Sequence, residues 1–159
     1  MQLRAWKTLV HSRLQDVPGI TTFAPMSTMR SERTLAWAAA IMMLAVALGA
    51  FGAHGIQGRV DERSFHNWGT AAQYQFIHGL ALLGLAALEM RLPARVAGLA
   101  RILFLLGILC FCGSLYLLAV RDLVGIQSWA RALGPITPLG GLMFIAGWAV
   151  LLVGAFRKG

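Results

Sequence analysis

The chain has 159 residues, of which 58% are hydrophobic and 13% are charged, and its mean hydropathy is +0.68. An average soluble domain carries about 25% charged residues, so this amount of apolar surface cannot be buried in one small soluble core. A helix needs about 20 apolar residues to cross the hydrocarbon region of a bilayer, and the sequence has four such stretches between short charged segments. The composition therefore predicts an integral membrane protein with four transmembrane helices in a lipid bilayer.

The formal net charge of +8 raises the question of a nucleic-acid partner. The basic residues stand in clusters beside the apolar stretches and do not form one patch with interleaved aromatic residues. Such clusters are typical of the flanks of membrane spans. We therefore expect no nucleic-acid binding.

Residues 1–32 are predicted to form a basic N-terminal extension. Its first part, residues 1–17, has the pattern of an amphipathic helix on an anionic membrane surface and stops at Pro18. No apolar stretch of signal-peptide type follows the basic residues, so we do not expect the extension to be a secretory signal peptide. The alternative is that the extension has no structural role, because Met26 or Met29 would be an equally plausible start.

The membrane domain is predicted at residues 33–156, followed by a basic tail at residues 157–159. Its spans are predicted at about residues 35–53, 71–90, 98–120 and 138–156. The second helix is expected to begin before its span, at the N-cap Asp61, and to end at Pro93. Thr137, as an N-cap before a proline, predicts the start of the fourth helix.

The distribution of basic residues predicts the orientation of the chain. Five Lys and Arg residues in the N-terminal segment, three in the second loop and two at the C-terminus give ten on one side, against four on the other. Cytoplasmic loops carry the excess of basic residues. We therefore predict an all-α, antiparallel four-helix bundle with both termini in the cytoplasm.

Small residues recur seven positions apart in each span. This period favours left-handed crossings, and small side chains let helix backbones approach closely inside a membrane. The glycines of these stripes are the predicted packing positions: Gly52, Gly79, Gly107, Gly140, Gly147 and Gly154.

In an antiparallel bundle, most polar residues of the spans fall at one depth, in the outer half of the membrane. They are His54, Gln73, Tyr74, Gln75, His78, Ser114, Tyr116 and Thr137. Polar groups at membrane depth are costly and usually face the bundle interior or a wet cavity. One interpretation is an outward-open pocket for a small solute, an ion or a lipid headgroup. The alternative is that these side chains hydrogen-bond one another and hold the helices together. In that case we expect His78 to bond across the bundle to His54, Ser114 or Tyr116.

The sequence predicts no catalytic residue, no metal site and no cofactor. Cys110 and Cys112 point to different faces of one apolar helix, so we expect small buried hydrophobes rather than a disulfide or a metal pair. Glu89 is the acidic residue inside a span, near Arg91, and is expected to pair or to reach water. A pair of ligands from His54 and His78 would be the basis of a metal or haem site.

Four motifs carry a resemblance to a known family. They are GAFGAHG at residues 49–55, TAAQYQFIH at 70–78, GSLY at 113–116 and ITPLGG at 136–141. Together they resemble the domain of unknown function 423 family, small bacterial inner-membrane proteins similar to the animal transmembrane protein 256. The resemblance covers about residues 33–156. It implies a four-span membrane protein and no particular activity.

Three functions remain open at this point. The first is a non-enzymatic accessory or assembly protein, or a small-solute binder that uses the polar cluster. The second is a minimal channel or transporter, which would be oligomeric because four short helices seldom enclose a path alone. The third is a haem- or metal-binding redox protein. The expected partners are the bilayer and either further copies of the chain or another membrane protein.

Overall fold

A computed structural model of the chain describes residues 25–156, and in that part of the chain all regular elements are helical and none is a strand. The regular segments are Pro25–Phe51, Glu62–Leu88, Ala94–Gly107, Gly113–Val120 and Ala130–Phe156, with π-helical turns at Gly52–Ile56 and Ile108–Cys112 and 3-10 turns at Glu89–Arg91 and Gln127–Trp129. They build four spans that are long and apolar enough to cross a membrane: Met29–Ile56, Glu62–Arg91, Ala94–Val120 and Gln127–Phe156. The predicted four-helix architecture is confirmed. The predicted amphipathic helix at residues 1–17 and the tail at 157–159 lie outside the described residues.

The second span begins where the sequence predicts. Asp61 is its N-cap, and its carboxylate accepts hydrogen bonds from the Ser64 hydroxyl at 2.7 Å and the Ser64 amide at 3.0 Å. These bonds stabilise the ionised carboxylate and lower the pKa of Asp61 from its usual value. The cap is therefore strongest above the ordinary pKa of the carboxyl group and weakens as the pH falls through the lowered value.

The predicted start of the fourth helix at Thr137 is wrong. The helix begins at Ala130 and continues through Pro135 and Pro138. The prolines leave the carbonyls of Arg131 and Gly134 without their usual helical donors, but such positions are tolerated in membrane helices. Thr137 bonds to the third span and does not act as a cap.

The four spans are antiparallel and follow chain order: the first packs on the second, the second on the third and the third on the fourth. At one end of the bundle the Ser31 hydroxyl donates to the carbonyl oxygen of Ala86 at 2.9 Å, so the start of the first span lies beside the end of the second. At the same end, Gly154 near the end of the fourth span faces Val96 near the start of the third. The beginning of the first span and the end of the fourth therefore share one side of the bundle.

The structure places all six packing glycines in close contact with a neighbouring side chain or backbone. Gly140, Gly147 and Gly154, seven residues apart in the fourth span, face Phe111, Phe104 and Val96 of the third. The contact is reciprocal, since Gly107 of the third span faces the ring of Phe144. Gly52 lies against Trp68, and Gly79 lies against Met42. In this register large side chains of one helix fill the space above glycines of the next.

The cytoplasmic position of the two termini stays a prediction with a direct test. A reporter that is active only in the periplasm, fused after Gly159, should give no signal, because the side with ten of the basic residues is expected to face the cytoplasm. The same reporter inserted after Gly58, an exposed loop glycine with φ 77° between the first two spans, should be active. Activity at Gly159 and silence at Gly58 would reverse the orientation.

Candidate functional site

The predicted polar residues do not form one hydrogen-bonded network; several of them form separate links between helices. Gln75 is 2% exposed, its amide nitrogen donates to the carbonyl oxygen of Ile41 at 3.1 Å, and its amide oxygen accepts from the Tyr116 hydroxyl at 3.0 Å. The Tyr116 ring packs edge-on against Trp68, with ring centroids 4.6 Å apart. Gln75 thus joins the first, second and third spans.

Ser114 and Thr137 form a second link, between the third and fourth spans. Their hydroxyl oxygens lie 2.6 Å apart, and Ser114 also donates to the carbonyl oxygen of Phe111 at 3.1 Å. A hydroxyl has only one hydrogen to donate. Thr137 is therefore the donor to Ser114.

His78 forms the third link, through Trp148 of the fourth span. The indole N–H of Trp148 points at Nε2 of His78, 3.3 Å away, and Nδ1 of His78 lies 2.9 Å from the carbonyl oxygen of Tyr74. An indole nitrogen is only a donor, so Nε2 must accept and Nδ1 must carry the hydrogen. The imidazole is therefore neutral in this arrangement, and both of its nitrogens are used.

Aromatic rings surround the same imidazole. The His78 ring stacks on Phe144 with centroids 3.5 Å apart and an interplanar angle of 10°, and Phe104 lies 5.6 Å away. From sequence we expected the partner of His78 to be His54, Ser114 or Tyr116, and that expectation was wrong. Trp148 was missed because its ring contributes to hydropathy as an apolar group. Its indole N–H, which needs an acceptor at membrane depth, was the available signal.

Two remaining members of the predicted pocket lie apart from these links, whereas Tyr74 lies beside the third link, with its carbonyl oxygen bonded to His78 and its ring centroid 6.0 Å from that of the imidazole. His54 is exposed on the π-helical turn, and Gln73 is exposed in a groove that also contains His66 and Thr70. Tyr74 is 38% exposed, with its ring 4.7 Å from that of Phe111. Within residues 25–156, no group of three or more His, Cys, Asp and Glu residues is placed to hold a metal.

An additional polar site lies at the opposite end of the bundle, where the sequence singled out only Glu89. Its carboxylate accepts from the Thr34 hydroxyl at 2.8 Å and from Nη1 of Arg101 at 3.2 Å, and the same Nη1 lies 3.0 Å from the Thr34 oxygen. Glu89 was expected to pair or to reach water near Arg91; it pairs, but with Arg101. This clamp joins the first, second and third spans. An arginine and a threonine inside apolar spans were the sequence signal for it.

The hydrogen bonding of buried side chains is complete in the described part of the chain. Every buried side-chain nitrogen or oxygen there has a partner. Because unpaired polar groups are expensive at membrane depth, this pairing stabilises the positions of all four spans.

Comparison with known proteins identifies the family. The family model described as "Protein of unknown function (DUF423)" matches residues 48–141, which contain all four sequence motifs. The UPF0382 membrane protein of Staphylococcus haemolyticus is 40% identical over 115 residues, which are 72% of this chain and 88% of that protein. The chain belongs to the DUF423 family. The resemblance inferred from the motifs is thereby confirmed.

Other relatives of this DUF423 protein carry similar names. The UPF0382 inner membrane protein YgdD of Escherichia coli K12 is 40% identical over 129 residues, covering 81% of this chain and 93% of its own length. The UPF0382 membrane protein YwdK of Bacillus subtilis is 38% identical over 120 residues, covering 72% and 89%. No solved structure matches the chain significantly. These relatives and the four apolar spans show a multi-pass protein of the bacterial inner membrane.

Proposed function

We propose that this DUF423 protein is a non-enzymatic accessory or assembly protein of the inner membrane, whose buried polar groups hold the bundle together and whose partner binds in the bilayer. The observation that carries this proposal is the complete pairing of buried polar atoms among the described residues. Buried polar atoms that bond to one another across helices are not free to bind a solute or to move protons. Function is therefore expected at the outer surface of the bundle.

The outer spans supply that surface. The first span exposes Trp37, Leu44 and Phe51, and the fourth exposes Ile145 and Leu152. Inside a membrane these faces contact lipid or the spans of another protein, which can be a second copy of the chain. Packing against such a partner would need no change in the polar interior.

Site-specific photocrosslinking in cells tests the accessory function. A photoreactive residue at Leu44 or Leu152, both exposed on outer spans, is expected to give a protein adduct of one discrete mass. The matched control is the same residue at Gln57, which is exposed in the first loop. Adducts of identical mass from all three positions, or no protein adduct from either span, would contradict the proposal.

A small-solute site is the second candidate, and one groove favours it. Glu62, His66, Thr70 and Gln73 of the second span line a groove of about 450 Å³ near the start of that span. Its polar side chains could orient a small polar ligand. Uptake of solute into protein-containing liposomes would favour the channel or transporter alternative, and an absorption band of the purified protein would favour the haem or metal alternative.

His78 distinguishes a structural link from a ligand site. His78→Ala should lower the free energy of unfolding by about 0.6–1.7 kcal/mol, as expected for losing an interhelical hydrogen bond in a membrane. Trp148→Phe should have a similar effect because it removes the donor to Nε2, while His78→Gln, which keeps an acceptor, should restore part of the stability. Thermal unfolding in mild detergent measures all three.

Trp37→Phe is the control for Trp148→Phe, because Trp37 is similarly exposed but its indole forms no hydrogen bond within residues 29–156. It should leave the unfolding temperature unchanged. If His78→Gln and His78→Ala were equally harmful and both lost a metal or an absorption band, His78 would be a ligand and not a helix link.

A further inference from the structure

Three arginines line one cleft at the end of the bundle where the first span begins and the fourth span ends. Arg30 and Arg33 of the first span, Arg101 of the third span and Met29 form its walls, and its volume is about 310 Å³. The family assignment and the polar interior give no role to this cleft. Two different helices therefore bring basic side chains to one concave surface.

The charge of the cleft is not balanced by the acidic groups around it. Glu89 pairs with Arg101, and Glu32 lies on the exposed side of the first span without lining the cleft. Among residues 29–156, the guanidinium groups of Arg30 and Arg33 form no ion pair and no hydrogen bond. Arg30, Arg33 and Arg101 against Glu89 leave a net positive charge in the cleft.

Hydrogen bonds to Glu89 and Thr34 fix the position of the Arg101 guanidinium. Its Nη1 donates to both Glu89 and Thr34, while a guanidinium has five N–H donors in a planar fork. The other donors of Arg101 form no hydrogen bond within the described part of the chain. A fixed guanidinium with unused donors suits an anion with several oxygens, above all a phosphate.

The position of the cleft relative to the bilayer indicates the source of such a phosphate. Arg30 and Arg33 stand just before the apolar part of the first span, which begins near residue 35, and Arg101 stands just inside the apolar part of the third. This is the level at which a bilayer presents its headgroups. This end of the bundle is the predicted cytoplasmic end. Basic pockets between spans on the cytoplasmic side of a membrane are suited to anionic lipid headgroups.

We propose that Arg30, Arg33 and Arg101 form a binding site for the phosphate group of an anionic lipid headgroup. Arg101, oriented by Glu89 and Thr34, contacts the phosphate from the third span, and Arg30 and Arg33 contact it from the first. The bound lipid bridges two spans that are not neighbours in chain order. Free inorganic phosphate has the same chemistry and is the alternative source of the ligand.

Lipid titration of the full chain tests this site. The protein is purified in a neutral detergent, phosphatidylglycerol or phosphatidylcholine is added, and bound lipid is counted by native mass spectrometry. The double variant R30Q/R33Q should bind phosphatidylglycerol roughly tenfold more weakly or worse, because two charged contacts near the headgroup are lost. Arg101 is left unchanged so that the clamp with Glu89 stays intact.

The control is R91Q/R95Q, which removes two exposed arginines from the same end of the bundle but outside this cleft. Unchanged binding by the control, with no selective binding of phosphatidylcholine, supports the site. Equal loss in both double variants would mean general surface charge and would overturn the proposal, as would undiminished binding by R30Q/R33Q. Binding of inorganic phosphate without preference for phosphatidylglycerol would overturn the lipid assignment. If R30Q/R33Q unfolds without lipid, Arg33→Gln alone should still show weaker binding, and wild-type affinity in that variant would count against the site.

Discussion

Replacing Arg101 by leucine is expected to lower the free energy of unfolding by about 3–5 kcal/mol, the cost of breaking a buried ion pair from one side. The Glu89 side chain is only 5% exposed, against 22% for Arg101. Without the guanidinium, the buried carboxylate keeps, among residues 29–156, only the Thr34 hydroxyl as a partner. Chemical or thermal unfolding in detergent, without added lipid, measures the loss.

The double variant E89L/R101L should regain most of that stability. Well-packed apolar residues often replace a buried ion pair without net cost, and the Thr34 hydroxyl still has the carbonyl oxygen of Arg30 at 3.1 Å. Arg95→Leu is the matched control, because Arg95 lies exposed on the same helix. If Arg101→Leu were no more destabilising than Arg95→Leu, the clamp would contribute nothing to the fold.

Gly147→Leu should lower the free energy of unfolding by about 1–3 kcal/mol through overpacking. A Cβ at Gly147 would lie 2.7 Å from the ring of Phe104, which is 0% exposed and cannot turn aside into lipid. The third and fourth spans would have to separate, because Phe104 also packs on Trp148 with ring centroids 5.1 Å apart. The unfolding temperature in detergent reports the effect.

Gly84→Leu makes the same chemical change where a Cβ meets nothing within 4 Å, and it should be tolerated. Combining Gly147→Leu with Phe104→Ala should recover part of the loss, because the leucine can occupy the space left by the ring. If the two substitutions lowered the free energy of unfolding additively, Gly147 and Phe104 would not be in steric contact.

Features that depend on local chemistry were predictable from the sequence. The four spans follow from the length of the apolar stretches, because the hydrocarbon thickness sets the length of a helix that crosses it. The start of the second helix follows from Asp61, whose carboxylate needs only the amide three residues later. The same local rule failed at Thr137, since its hydroxyl bonds to Ser114 of another helix and Pro138 remains inside the span.

The partners of the buried polar groups were decided only by the tertiary structure. Hydropathy and spacing show that His78 and Glu89 need partners, but the rotation of each helix about its axis determines which side chains they meet. Thus Trp148 reaches His78 across 70 positions of sequence, and Arg101 rather than the nearby Arg91 reaches Glu89. By itself the sequence determined a four-span membrane protein of the DUF423 family. The packing of the helices decided which polar groups hydrogen-bond inside the bundle. It also decided where arginines from two spans form one cleft, because both features depend on contacts between distant segments.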